Sequence, residues 1–599
     1  MELQERNQMD PQYQWDLSSL YENDAAWEAD FASAPTLIEK TAAFQGKLTG
    51  AAQVRACLDA STELTRRLDN LLTYAQLRQS EDTRSTKAQE LWARGMALAV
   101  QAESHTSFVN PEILSLPEAT LREIAASQEC APYRFLLQQL LDEKPHVLSA
   151  ECEQLIAGFG EVLNAPKEIA NALQDADLTF APARDSDGKE HEVTQANYIL
   201  LQQSSDRALR KSAFQSFYQG FSAHNNTFAQ TYSGIVKSWT AQAAARHYDS
   251  SRSMSLAEEH IPASVYDGLV AAVRRHLPDM YRYLALRKKM LGLDDLHYYD
   301  VYVPLTGGDS HVYSYDEAKE MVLRAVAPLG RTYQDTVRDA FQSRWIDVYP
   351  NKGKRGGAFS SGTYDSIPYI LMSYTGDYES VSTVAHEMGH SMHTWFTKHH
   401  QPVQYGNYTL FVAEVASTVN ENLLIDSLLH QTDDPAERLF LLNQYLEGFK
   451  GTVFRQTMFA EFERDAHAMA EQGQALTPQA LNELYRRLIV DYFGPELVVD
   501  DEVQYEWSRI PHFYRPFYVY KYATSYSAAV ALSGRILREG EPAVKKYLEF
   551  LSMGSSAYPL DELAHAGVDM TTEAPIDAAL DKFGQILDEA EQCVRQLNR

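Results

Sequence analysis

The chain has 599 residues, 45% of them hydrophobic, and carries 82 acidic against 53 basic side chains for a net charge of −29. A chain of this length and composition can bury a large core and is expected to form more than one structural unit. The acidic balance argues against nucleic acid or an anionic membrane as a partner, and no stretch approaches the roughly 18 apolar residues of a membrane span.

Met1-Glu2-Leu3-Gln4-Glu5-Arg6 carries neither a basic nor an apolar signal segment, so no export signal is expected. Residues 1–175 read as helix after helix; 63–98, for example, places apolar residues at helical spacing with few Gly or Pro. The pattern breaks at 178–182. Arg184-Asp185-Ser186-Asp187-Gly188-Lys189 then reads as a hairpin with an Asp-Gly turn. Helical pattern resumes near Gln195, which divides the chain into an N-terminal helical region, 1–194, and a second region, 195–599. β-rich stretches are expected over 297–305 and 345–374. The latter encloses a loop at 353–357 that lacks phosphate-binding spacing and reads as flexible. The remainder is helical, so the expected fold is mainly α with one small sheet. Cys57, Cys130, Cys152 and Cys593 show no ligand spacing and read as buried thiols of a reducing cytoplasm.

Ser366 to Tyr374 is a short β-rich run closed by Thr375-Gly376-Asp377, with Asp377 and Ser380 as candidate N-caps. Val381, Val384, Ala385, Met388 and Met392 then mark the buried face of a helix. On that helix stands His386-Glu387-Met388-Gly389-His390. Two histidines four apart share a face and can reach one Zn²⁺, with Glu387 placed to act on water. Chance would supply about 0.04 such matches in a chain of this composition, so two ordinary helical histidines are the weaker reading. A catalytic zinc takes a third protein ligand. The metzincin pattern would need Gly and His at 393 and 396, where His393 and Phe396 stand. The next helical segment has Phe411, Val412, Val415, Val419, Leu423 and Leu424 on its apolar side, and Glu414 and Glu421 share another face. Either acid can be the third ligand, the other orienting a histidine.

The last informative stretch is aromatic: tyrosines at 505, 514, 518, 520, 522 and 526, with His512 among them. It reads either as a core patch or as a set of donors for a developing oxyanion.

Several ordered motifs carry a family resemblance over nearly the whole chain. They are Tyr13-Gln14-Trp15-Asp16-Leu17, Pro368-Tyr369-Ile370-Leu371-Met372, the HExxH segment, Ala413-Glu414-Val415-Ala416-Ser417, Thr452 to Glu461, and Ile510 to Tyr520. The chain resembles the thimet-oligopeptidase-like zinc metallopeptidases, in particular the oligoendopeptidase F group. The resemblance implies two helical lobes around a deep cleft and cytoplasmic endopeptidase action on short, unfolded peptides. It also implies one Zn²⁺ per chain on His386, His390 and Glu414, with Glu421 behind them and Glu387 as the base. His512 matches the family's oxyanion donor, joined by Tyr522 ahead of Tyr518 and Tyr520. The strand Tyr369, Ile370 and Leu371, expected at a sheet edge because Pro368 opens it, would hold the substrate backbone by strand addition. Oligomeric state and cleavage preference have no signature in the sequence.

Overall fold

The computed structural model describes residues 3–307 and 311–598. The chain is mainly helical, as expected, with only short sheets. It forms two compact units, each drawn from three separate stretches. The first takes 1–147, 311–427 and 532–568; the second takes 148–310, 428–531 and 569–599.

In the first unit, helices Asp24–Ala42, Ala51–Glu81 and Thr86–Thr106 pack on one another. The Asn23 side chain caps the first by accepting from the Ala25 and Ala26 amides, and Ser85 caps the third through the Ala88 amide. Their apolar stripes meet in a core of Trp27, Leu64, Leu71, Leu77, Leu91 and Leu98, and the Trp27 indole N–H is satisfied by the Leu71 carbonyl at 2.9 Å. Tyr369 and Leu371 enter the same core from a three-stranded sheet.

That sheet corrects the expectation of an edge. Tyr369–Leu371 is its middle strand, paired parallel with Ile346–Asp347 and antiparallel with Phe359–Ser361. The far side of Ile346–Asp347 is closed in turn by the N-terminal segment: the Val348 amide donates to Tyr13 O at 3.0 Å and the Asp16 amide to Arg344 O at 2.9 Å. The open edge among the described residues is therefore Phe359–Ser361. Tyr369, Ile370 and Leu371 are all fully buried, their faces covered by core on both sides.

The 353–357 loop is likewise less free than expected. Gly353 O accepts the Thr83 amide at 2.7 Å, the Arg355 amide donates to Ser80 O at 3.0 Å, and the buried Lys354 ammonium meets the Asp347 carboxylate at 2.7 Å. Gly353 has φ +78°, and a Cβ there would strike the Asp82 side chain. Its first half is thus pinned to the end of Ala51–Glu81, leaving Gly356 and Gly357 exposed.

In the second unit the expected hairpin is present, Ala183 opposite His191, with Gly188 at φ +80° in its turn. The stretch 297–305 is strand only at its start: Leu296–His297 pairs parallel with Leu497–Val498. Asp300 then draws the chain into a turn, accepting the His297 amide at 3.0 Å while bound to Arg207 and Arg210. Around Glu506, a fully buried carboxylate, gather the Arg455 guanidinium at 2.8 Å and the hydroxyls of Tyr485 at 2.6 Å and Tyr298 at 2.7 Å. Cys57, Cys130 and Cys593 are buried free thiols, whereas Cys152 is exposed.

Candidate metal centre

Helix Tyr378–His400 starts on Asp377, whose carboxylate accepts the Ser380 amide at 2.8 Å. Ser380 is not the cap; its hydroxyl accepts the Thr375 amide instead. The expected apolar face is real: Val381, Val384, Ala385, Met388 and Met392 are all fully buried. Burying that face turns His386 and His390 together to the other side.

The neighbouring helix, Leu410–Leu429, brings the acids. It approaches closely at Gly389, where a Cβ would lie 2.5 Å from Ala416 O and from Ser417 Cα. Only a glycine lets the two backbones sit this near, and the approach carries Glu414 to the histidines. The crossing is tied by Asn420, whose amide nitrogen donates to Ala385 O at 3.1 Å while its oxygen accepts the Tyr333 hydroxyl at 2.9 Å.

The result is a triangle of three donor atoms. His386 Nε2 and His390 Nε2 are 3.2 Å apart, and Glu414 Oε2 lies 3.4 and 3.5 Å from them. Glu421 Oε1 sits 3.0 Å from His386 Nδ1. An Nδ1–H donated to Glu421 leaves the lone pair on Nε2, so the triangle points electron pairs at a common centre. Around a tetrahedral ion bonded at about 2.0–2.1 Å, donors stand roughly 3.3–3.4 Å apart. The donor set therefore fits a divalent transition metal, and it is the single such His/Cys/Asp/Glu cluster among the described residues.

The charges agree. Burial alone would lower the His386 pKa, but the bond to Glu421 and the surrounding carboxylates raise it to about 9. Burial raises Glu414, yet the imidazoles and Ser417, whose hydroxyl lies 3.2 Å from Oε2, bring it down to about 2. Cation and anion are being held where a metal would replace the proton. Glu387 is 6% exposed, burial raises its pKa, and its Oε2 has no hydrogen-bond partner. A buried carboxyl with an unused oxygen beside the donor triangle is positioned to handle a proton.

The other histidines stand apart. His393 is buried, stacked flat on Tyr408 at 3.7 Å, and held neutral with a pKa near 3 by burial. His399 and His400 are exposed.

The second group of candidates lies in the second unit. Tyr522 Oη is 3.4 Å from His512 Nε2, and the Tyr518 ring lies parallel to the His512 ring with centroids 6.1 Å apart. Burial, then the Arg515 charge, lowers the His512 pKa, so the ring is neutral and keeps one N–H. His512, Tyr518 and Tyr522 are partly exposed and form one cluster. Tyr520 is wholly buried and packs on Tyr266 at 4.9 Å, facing the core. Two contributors escaped the sequence reading: Gly389 and Asn420. Gly389 was in plain view inside the HExxH segment, but its reason exists only once the second helix is present.

Comparison with known proteins follows the same lines. The model described as "Peptidase family M3" matches residues 200–582 and that described as "Oligopeptidase F" matches 112–180. Oligopeptidase PepF of Bacillus subtilis is 44% identical over 600 residues, covering 100% of this chain and 90% of its own length. Group B oligopeptidase PepB of Streptococcus agalactiae is 40% identical over 98% of both chains. Among solved structures, oligoendopeptidase-F from Enterococcus faecium is 36% identical, with a TM-score of 0.75 over 96% of this chain and 99% of its own.

Proposed function

This chain belongs to peptidase family M3, and on that premise we propose that it is a zinc-dependent endopeptidase that cuts internal bonds of short, unfolded peptides in the cytoplasm. The observation that carries the reading is the triangle of His386, His390 and Glu414, three lone-pair donors 3.2–3.5 Å apart. These residues would hold one Zn²⁺ per chain. Bound there, the ion supplies Lewis acidity, acidifying water and polarising a carbonyl.

The chain's own residues do the rest. Glu421 fixes the His386 tautomer and ring plane. Glu387 accepts the proton of the attacking water and returns it to the leaving amine, which its buried, underused carboxyl suits. His512 N–H and Tyr522 O–H supply hydrogen bonds to the carbonyl oxygen as it becomes negative, with Tyr518 beside them. Tyr520 faces away from that cluster and is proposed to support it from the core. Strand addition by the substrate needs an unpaired edge, so Phe359–Ser361 takes the backbone-holding part first given to Tyr369, Ile370 and Leu371. Among the described residues no helix is long and apolar enough to cross a membrane, and Cys57, Cys130, Cys152 and Cys593 are free thiols. We keep 1–194 and 195–599 as the proposed N-terminal and catalytic regions of the sequence.

Two measurements test the proposal. Chelation should abolish cleavage of a short quenched peptide and Zn²⁺ should restore it; full activity in metal-free enzyme would refute the zinc reading. Mass-spectrometric mapping of products from a mixed peptide library should show internal cuts. Stepwise removal of terminal dipeptides would make the enzyme an exopeptidase instead.

A further inference from the structure

Residues 511–522 contain no glycine, yet Phe517 sits at φ +59°. A side chain with a Cβ is sterically disfavoured in that left-handed region and stays there only where its surroundings hold it. The strained residue lies between His512 on one side and Tyr518 and Tyr522 on the other. What holds it decides where those side chains point.

Phe517 is 1% exposed, its ring 4.6 Å from the His467 ring and 6.0 Å from the edge-on Tyr266 ring. The carbonyl before it, Pro516 O, accepts the Ser255 hydroxyl at 3.2 Å. His467 is anchored in turn, its Nδ1 2.8 Å from Ser251 Oγ. One turn earlier on the same helix, Arg455–Glu471, stands Glu463. It is fully buried, and neither oxygen meets a donor at standard hydrogen-bond geometry; the backbone amide that faces it is that of Phe517. Burial raises its pKa well above the usual range, so it stands as a neutral acid. A buried acid without a counter-ion is costlier than an apolar side chain of its size. Its place here calls for a reason, and the Phe517 amide is the one on offer.

We propose that Glu463 and His467 form a clamp beneath residues 512–522, Glu463 facing the Phe517 amide and His467 the ring, and so position His512, Tyr518 and Tyr522. Both are positioning residues that touch no reacting atom. The inference rests on the reading of His512 and Tyr522 as oxyanion donors, but the clamp itself can be measured apart from catalysis.

The test pairs amide hydrogen exchange with kinetics on a short quenched peptide, using the full chain with its metal. Glu463→Leu keeps the volume and removes the polar group; Glu463→Gln keeps a neutral acceptor. In Glu463→Leu, exchange across 512–522 should speed up while the rest of the chain is unchanged. Its kcat should drop about 10- to 100-fold, as expected for a misplaced catalytic group, with KM within about twofold and metal content intact. Glu463→Gln should restore both readouts to near native values. Ser255→Ala, the milder variant, should raise exchange in the same segment by less. Unchanged exchange in Glu463→Leu, or equal damage in the Leu and Gln variants, overturns the clamp. Native kcat in both His512→Ala and Tyr522→Phe would overturn the oxyanion reading instead, leaving the exchange result to decide the clamp.

Discussion

At the scale of single residues, the proposed mechanism separates metal holding from proton handling. Glu387→Gln keeps every donor of the triangle and removes the proposed base, so zinc content should stay native while kcat falls by several orders of magnitude. Glu414→Ala removes a donor and should lose the metal; Glu421→Ala loosens His386 and should weaken affinity by about 10–100-fold. Chelator competition on the two variants measures the difference, and the reverse order would exchange their roles. A different acid carries a pH signature. Glu562 is 1% exposed with an unpartnered Oε1, and burial pushes its pKa to about 8. An unfolded Glu titrates near about 4.3. Between those values the folded state alone retains the proton, so this residue's contribution falls as pH rises through the window. Glu562→Gln, neutral throughout, should melt like the native chain near pH 5 and above it at pH 9, a gain on the order of a few kcal/mol. Equal melting at pH 9 would show that the burial of Glu562 is relieved some other way.

At the scale of elements, the contact between Tyr378–His400 and Leu410–Leu429 governs the site. Gly389→Ala places a methyl group 2.5 Å from backbone atoms of the second helix, so the helices must separate. Overpacking of this kind costs about 1–3 kcal/mol. Metal affinity should fall because Glu414 retreats, while circular dichroism stays helical; unchanged affinity would show that the helix pair yields elsewhere. Both helices were legible in the sequence because their signals are local: a cap at Asp377, a 3.6-residue stripe from Val381 to Met392, another from Phe411 to Leu424. The HExxH spacing put two ligands in view, but choosing Glu414 over Glu421 needed the family resemblance, since both acids share one helical face. The strand Tyr369–Leu371 was found but misplaced. Pro368 fits the beginning of any strand, and nothing local reveals that residues 13–16, more than 300 positions away, would close the far side of that sheet. Tyr520 differs from Tyr518 and Tyr522 only in facing the core, and the aromatic run offered no polar alternation to separate them.

At the scale of the whole molecule, the units do not follow the chain. The metal unit is completed by 1–147 and by 532–568, and the sheet beside its ligand helix lies against a core containing Trp15, Trp27 and Leu71. A chain cut to 195–599 exposes Tyr369 and Leu371, each worth about 1.5–3 kcal/mol or more of lost burial. It should therefore be insoluble or metal-free, whereas co-expressed 1–194 should rescue it. A soluble, zinc-loaded 195–599 would show that the ligand helix needs none of that core. The other end of the chain matters as well. The Thr397 hydroxyl, near the end of the ligand helix, donates to Leu551 O at 3.0 Å, and the helix packs along Glu541–Leu551. This sets an order of events at the ribosome. The histidines are synthesised well before the segment that backs their helix, and translation supplies only about 5–20 residues per second. For seconds the nascent chain carries its metal-binding side chains on a helix whose backing is not yet made, so the site reaches its final rigidity only when Glu541–Leu551 has been synthesised and has docked.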